Sequence, residues 1–281
     1  SSNHSYLLYF TDMGRVYRTK TYNIPEAGRT AKGTPVVNII EKSPEEKISE
    51  IIPVKEFSDN EYLVMVTKNG IIKKTPASEY ESIRKSGKIA ITLKEGDELI
   101  SIFKTTGNDN IFLATRNGMA ICFNENDARA VGRTASGVKA IDLADGDYVV
   151  GAEPVREDSK VLLVTDGGYG KCTDLTSFRI QHRGGKGLKA YKITEKTGNI
   201  IGISMVNDSE ELIMVTSEGV VIRIRIKDIA TTTGRITQGV RLINLNDGVT
   251  VVSMDKISAE DAVEEESEEN NTEVTAETTE E

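Results

Sequence analysis

Short apolar blocks recur along the chain, and each runs into the same polar turn. Tyr6-Leu7-Leu8-Tyr9-Phe10 meets Thr11-Asp12-Met13-Gly14, and Tyr62–Val66 meets Thr67-Lys68-Asn69-Gly70. Ile111–Ala114 leads to Thr115-Arg116-Asn117-Gly118, Val161–Val164 to Thr165-Asp166-Gly167-Gly168, and Leu212–Val215 to Thr216-Ser217-Glu218-Gly219. The five Thr-x-x-Gly turns are spaced 56, 48, 50 and 51 residues apart at their glycines. An alternating run such as Arg15-Val16-Tyr17-Arg18-Thr19-Lys20 follows the turn. Apolar block, glycine turn and alternating run together predict a β-hairpin, with the glycine supplying the positive φ of the turn.

A second column runs in phase with the first. Gly28-Arg29-Thr30-Ala31-Lys32-Gly33 precedes the strand-like run 34–40, and Ile83-Arg84-Lys85-Ser86-Gly87-Lys88 precedes 89–93. Gly132-Arg133-Thr134-Ala135-Ser136-Gly137 precedes 138–143, Arg179–Lys189 leads into 188–193, and Gly234-Arg235-Ile236-Thr237-Gln238-Gly239 precedes 240–245. A further strand closes each repeat, over 48–54, 98–104, 148–155, 199–206 and 249–254. The unit is thus about 50 residues with four short strands, the signature of a blade in a propeller-like fold. Helical periodicity is nearly absent; only 76–84 and 124–130 could form a helical turn. The expected class is all-β, with five repeats at roughly 1–58, 59–108, 109–157, 158–208 and 209–256, forming one domain over 1–256. Residues 257–281 are Glu, Asp, Ser, Thr and Asn with hardly an apolar residue and are expected to be a disordered acidic tail.

Composition changes this picture in one respect. The net charge is −9, but 12 of the 44 acidic residues and only one of the 35 basic residues lie in 255–281. Residues 1–254 therefore carry 32 acidic and 34 basic side chains, a net +2. No apolar run approaches the roughly 20 residues that span a bilayer, and no signal-peptide pattern opens the chain. The chain begins without Met and reads as part of a longer protein. Cys122 and Cys172 sit in strand-like runs and are expected to be buried thiols of a cytoplasmic protein rather than a disulfide or metal pair. With two histidines and no C-x-x-C there is no zinc site.

None of the five second-column loops contains an acidic residue, and each is basic. Equivalent connections occupy equivalent places in a propeller-like fold, so the loops predict a track of positive patches: Arg29 and Lys32; Arg84, Lys85 and Lys88; Arg133 and Lys139; Arg179, Arg183, Lys186 and Lys189; Arg235 and Arg241. Such sorting of charge is the footprint of a polyanion. Scarce aromatics speak against stacking on single strands, and no helix is available to read a groove. What remains is salt-dependent contact with duplex phosphates, with bending of the duplex offset by several spaced patches. A purely architectural reading stands beside it: glycine for the turn, arginine packing its stem on the neighbouring blade. Catalysis finds no foothold. Gly167-Gly168-Tyr169-Gly170 precedes a strand rather than a helix, Gly184-Gly185-Lys186-Gly187 lacks the spacing of an NTPase phosphate loop, and Asp145-Gly146-Asp147 lacks a calcium-loop pattern. His4 and His182 fit no Ser/His/Asp set.

Gln181-His182-Arg183-Gly184-Gly185-Lys186-Gly187 resembles the basic box of the DNA gyrase C-terminal domain family, Gln-basic-Arg-Gly-Gly-basic-Gly, with His182 where the family prefers Lys or Arg. The loops 28–33, 132–139 and 234–241 resemble that family's degenerate boxes, and the likeness covers 1–254 and the acidic tail. The resemblance implies a β-pinwheel, a propeller-like disc of usually six blades that exchange strands, wrapping duplex DNA on its basic rim. It implies phosphate contacts for Arg29, Arg133, Arg183 and Arg235, and places the box of the family in a blade before the first one here. It further implies a non-catalytic part of the gyrase A protein, within an ATP-dependent, negatively supercoiling type II topoisomerase. The partners it implies, in an A2B2 complex, are the gyrase B protein and the rest of the gyrase A protein. ATP and Mg2+ would be used elsewhere in the holoenzyme, with no cofactor in this chain. The alternatives are a protein-binding propeller scaffold and the related domain of the topoisomerase IV A protein.

Overall fold

The computed structural model describes residues 5–26 and 31–258. Arg29, His4 and nearly all of the acidic segment expected to be disordered lie outside the described residues; only Ile257, the last residue of a strand, and Ser258 of that segment are described. The described chain is all-β with short 3-10 turns and no α-helix. Repeat 1 forms β1 (Tyr6–Thr11), β2 (Arg15–Lys20) and β3 (Ile48–Val54); repeat 2 forms β4 (Tyr62–Thr67), β5 (Ile71–Pro76), β6 (Lys88–Ile89) and β7 (Leu99–Thr105). Repeat 3 forms β8 (Asn110–Thr115), β9 (Met119–Asn124), β10 (Val138–Lys139) and β11 (Val149–Pro154). Repeat 4 forms β12 (Lys160–Thr165), β13 (Tyr169–Asp174), β14 (Leu188–Lys189) and β15 (Ile200–Val206). Repeat 5 forms β16 (Glu211–Thr216), β17 (Val221–Arg225), β18 (Thr231–Thr232), β19 (Val240–Arg241) and β20 (Val251–Ile257). The helical turns expected near 76–84 and 124–130 are 3-10 turns at Ala77–Tyr80 and Glu125–Asp127.

Repeat and sheet do not coincide. The sheets run β3-β1-β2-β6, β10-β5-β4-β7, β11-β8-β9-β14, β15-β12-β13-β18 with β19 also on β13, and β17-β16-β20. The short strand after each basic loop therefore joins the hairpin of the preceding repeat, the strand exchange that the family resemblance implied. This corrects the simpler picture of four strands closing each repeat on itself. The run 34–40 of repeat 1 is a correction too: it holds a 3-10 turn at Val36–Asn38 and no strand. Among the described residues the run pairs with no strand, and Pro35 has no N–H to offer a ladder. At the other end, β17 has no strand on its outer edge among the described residues, and Val220 and Val221 are exposed.

Each exchanged segment docks on the Thr-x-x-Gly turn of its host. Ala90 N–H donates to Gly14 O at 2.8 Å, Ala140 N–H to Gly70 O at 2.7 Å, Ala190 N–H to Gly118 O at 2.8 Å and Leu242 N–H to Gly168 O at 2.9 Å. These turn glycines have φ of 74°, 78°, 85° and 76°. Beyond two ladder residues, each segment bends and drops its next apolar residues inward: Ile91 and Ile141 are buried and Leu93 and Leu143 partly so. That bend is why the strands foreseen over 89–93 and 138–143 are only two residues long.

The inner strands are buried on both faces, which explains their unbroken apolar runs. Along β4, Leu63 and Met65 join Leu8, Phe10, Ile52 and Tyr80 in one core, while Val64 and Val66 join Ile111, Leu113, Ile121 and Phe123 in the next. One strand thus serves two cores through its period of two. The chain divides into two compact units. The first contains 1–115, 119–155 and 179–188, so the box-like loop belongs with the sheet of β8 and β9. The second contains 116–118, 156–178 and 189–281, with a core of Leu162, Val164, Leu212, Met214 and Ile226.

Candidate nucleic-acid interface

Three of the second-column glycines are fixed by close backbone approach. Gly137, Gly187 and Gly239 have φ of 89°, 74° and 70°. A Cβ at these positions would lie 2.5 Å from Ile72 O, 2.4 Å from Ala120 O and 2.3 Å from Gly170 O. No side chain fits where the loop crosses the host strand, so glycine recurs for an architectural reason.

The loops are also stitched to one another. In the first unit, Thr92 donates from its N–H to Ala135 O and from its hydroxyl to Thr134 O, the latter at 2.7 Å. One repeat further on, Asp142 N–H donates to Gly185 O at 2.9 Å and Gly184 N–H to Ala140 O at 2.6 Å. The motif arginines repeat the pattern. Arg133 Nη1 donates to Ile89 O at 3.2 Å, and Arg183 Nη1 to Lys139 O at 2.9 Å, each reaching the second residue of the preceding exchanged strand. Arg183 Nε also donates to Asp127 O at 2.8 Å. In the second unit, Lys192 N–H donates to Thr237 O at 3.0 Å. Successive loops in the first unit therefore form a contiguous run, not isolated turns.

The expected site residues fall into three groups. Lys32, Arg84, Lys85, Arg179, Lys186 and Lys189 are exposed. Lys88, Arg133, Arg183 and Arg235 are half-buried, and for Arg133 and Arg183 the contacts above explain why. Lys139 and Arg241 are exposed but engaged. Lys139 pairs with Asp142 at 2.7 Å, and its ammonium holds the Asp142 carboxyl below its usual range. Arg241 donates from Nε and Nη2 to Tyr169 Oη at 3.1 and 2.9 Å and from Nη1 to Asn244 Oδ1 at 2.9 Å. These bonds lower the Tyr169 phenol, with Lys196 adding to the effect. The architectural and electrostatic readings of the arginines are compatible: a guanidinium has five donors, and the contacts named for Arg133 and Arg183 use one and two of them.

Several contributors escaped the sequence reading. Lys73 on β5 and Lys171 on β13 are buried, at 1% and 0% exposure, beneath the loops. Lys73 Nζ donates to Ala90 O, Arg133 O and, at 3.3 Å, Gly132 O. Lys171 Nζ donates to Arg235 O, to Gly234 O at 3.4 Å and to Thr237 Oγ1 at 3.1 Å. Burial pushes their ammonium groups down to about 7 and about 8, outweighing the carbonyls that favour charge. The only signal was a lysine at the third position after the turn glycine, within an otherwise inward-facing strand. Asp127 holds the box: its carboxylate accepts from Arg183 N–H at 3.1 Å and lies 3.2 Å from His182 Nδ1. Arg18 and Lys20 line an open groove of about 540 Å³ with Lys85 and Tyr22, extending the cationic surface onto a strand. Among the described residues no cluster of His, Cys, Asp and Glu could hold a metal ion, and no helix is long and apolar enough to cross a membrane.

The family described as "DNA gyrase C-terminal domain, beta-propeller" matches residues 5–55, 61–106, 109–156, 159–207 and 210–258, one segment for each repeat. The DNA gyrase A protein of Halalkalibacterium halodurans is 55% identical over 261 residues, and that of Clostridium acetobutylicum 50% over 262; each match covers 93% of this chain and 31% of the relative. The chain thus spans about a third of the length of these curated relatives. Among solved structures, the C-terminal domain of DNA topoisomerase IV superposes with a TM-score of 0.87 at 28% identity, covering 96% of this chain and 84% of that one. A DNA gyrase A C-terminal domain superposes with a TM-score of 0.77 at 25% identity, covering 92% and 84%. Five matched segments, exchanged short strands and a glycine-arginine loop in each repeat lead to one conclusion: the chain belongs to the DNA gyrase C-terminal domain family, with its β-propeller, pinwheel-type fold.

Proposed function

We propose that this chain binds duplex DNA through backbone phosphates, without sequence preference, and bends it along the run of basic loops. The observation that carries this reading is the stitched run itself: loops free of acidic residues, held in register by Arg133 and Arg183, presenting Arg84, Lys85, Arg179 and Lys186 to solvent. Arg29, Lys32, Lys88, Lys139, Lys189, Arg235 and Arg241 are the further proposed contacts, the last three from the second unit. The chain acts without catalysis of its own, as the C-terminal part of a gyrase A protein. It works with the rest of that protein and with the gyrase B protein in a cytoplasmic A2B2 enzyme that uses ATP and Mg2+ elsewhere to introduce negative supercoils. Residues 1–256 are the wrapping domain and 257–281 its acidic tail.

Binding to a random-sequence duplex of about 40 base pairs, titrated at rising salt, tests this. The affinity should fall steeply, by roughly one unit of logarithmic slope for each phosphate neutralised. Absence of binding at low salt, or binding insensitive to salt, overturns the proposal. The superposition on the topoisomerase IV domain, with a TM-score of 0.87, supports a second reading. The 50–55% identity to gyrase A proteins favours the first. In the reconstituted holoenzyme, ATP-dependent negative supercoiling that is lost on deleting this domain supports gyrase; relaxation and decatenation alone support topoisomerase IV.

A further inference from the structure

Lys73 and Lys171 occupy one position in two hairpins, the third residue after the turn glycines Gly70 and Gly168. The same position in the other hairpins is Tyr17, Ile121 and Ile222. The two loops these lysines hold are Gly132-Arg133-Thr134-Ala135-Ser136-Gly137 and Gly234-Arg235-Ile236-Thr237-Gln238-Gly239, the two described boxes with a complete Gly-Arg-x-x-x-Gly pattern. The loop 179–189 sits instead over Ile121 and is held by Asp127. Each ammonium therefore caps, from inside the protein, the backbone carbonyl of a motif arginine whose side chain is half-buried in the loop above it.

We propose that Lys73 and Lys171 are positioning residues of the duplex-binding surface whose charge is drawn on when phosphate docks, so that binding DNA takes up protons. This rests on the proposed function above. An ammonium beneath the loop adds positive charge close to the anion without touching it, and shields the loop carbonyls that would otherwise repel a phosphate. The groups facing Lys73 are Arg133 on the loop and Glu79 and Tyr80 on the adjoining 3-10 turn; Arg133 lowers its proton affinity and Glu79 raises it. Lys171 faces Arg235 and the ring of Tyr191, 5.2 Å away. Both ammonium groups are already held down by burial, to about 7 and about 8, so near neutral pH a fraction of each is unprotonated. A docked phosphate favours the charged form and pulls a proton in.

The test is calorimetry of this chain with a random duplex of about 40 base pairs at pH 7.5, in two buffers of unlike ionisation enthalpy, with affinities followed from pH 7 to 8.5. Net proton uptake and an affinity falling about tenfold over that range are expected if phosphate raises each lysine by about one pH unit. The variant carrying Lys73→Met and Lys171→Met should show a flatter profile and less uptake; His182 is common to both proteins and cancels in the comparison. Binding with no proton uptake and superimposable profiles overturns this inference and leaves the proposed function standing. No binding at low salt overturns both. Should the double variant fail to fold, the single variants Lys73→Met and Lys171→Met carry the same comparison, each expected to lose part of the uptake.

Discussion

Gly168 and Gly219 occupy the same place in successive hairpins of one unit and adopt the same backbone, with φ of 76° and 79°. They differ in what lies beyond. A Cβ on Gly168 would stand 2.7 Å from Ile243 Cγ2, 3.1 Å from Ile243 O and 3.2 Å from Leu245 Cδ1, all of the exchanged segment. A Cβ on Gly219 would meet nothing within 4 Å. Alanine at either site incurs the left-handed penalty, about 1–2 kcal/mol. At Gly168 it must also displace Ile243, an overpacking cost of about 1–3 kcal/mol, and strain the Leu242 N–H bond to Gly168 O. Gly168→Ala should therefore destabilise the second unit by about 2–5 kcal/mol and Gly219→Ala by about 1–2 kcal/mol. Urea unfolding of both variants measures the difference, and hydrogen exchange at Leu242 and Ile243 reports whether the segment has lifted. Equal losses would refute the seating of 240–245 on the preceding hairpin, and with it strand exchange in this unit.

The remaining expectations concern charge. Arg183→Ala removes two side-chain bonds to backbone carbonyls in a half-buried setting and should cost about 1–3 kcal/mol in urea unfolding, with Arg183→Lys recovering only part. Arg179→Ala and Lys186→Ala, at exposed positions, should leave stability within about 0.5 kcal/mol yet each reduce the salt slope of duplex binding by about one unit. Deleting 259–281 should tighten duplex binding at low salt if the acidic segment competes for the basic loops; unchanged affinity in a filter-binding or anisotropy titration would end that idea.

The repeat was legible because one arrangement is written five times: apolar block, Thr-x-x-Gly, basic glycine loop. Its partition into sheets was not legible from spacing. A period near 50 residues is unchanged if every short strand is reassigned to the preceding hairpin, so the pattern alone cannot tell a self-contained blade from an exchanging one. The run 34–40 shows the consequence: by letters it is a strand, but strands need a host edge, and among the described residues it pairs with none and forms a 3-10 turn at Val36–Asn38. The site was partly legible. Basic residues in the loops could be read as a track, but the bonds from Arg133 to Ile89 O and from Arg183 to Lys139 O depend on exchange and could not be foreseen. Lys73 was hidden for another reason. In Ile71-Ile72-Lys73-Lys74-Thr75, paired lysines read as a half-exposed strand end, whereas both are buried, Lys74 against Glu125 at 3.3 Å.

The buried lysines yield two pH dependences of opposite sign, which separates an architectural role from a binding one. For folding, a lysine whose native value is depressed from 10.5 to about 7 binds fewer protons in the native than in the unfolded state between those limits. Stability then rises with pH through that window, by up to about 1.4 kcal/mol per unit for Lys73, recovering a burial cost of about 5 kcal/mol present below pH 7. Cys122 and Cys172 act the other way. Burial raises each from 9.0 to about 11, so they subtract stability once the unfolded thiols ionise near pH 9. The clean interval is pH 7 to 8.5, where the native protein should gain stability while its duplex affinity falls. A lysine that served packing alone would give the first slope without the second. Unfolding of the unsubstituted chain and of Lys73→Met across that interval checks the first: the slope should be present in one and reduced in the other, and a flat profile in both would place a charged, fully compensated ammonium beneath the loop.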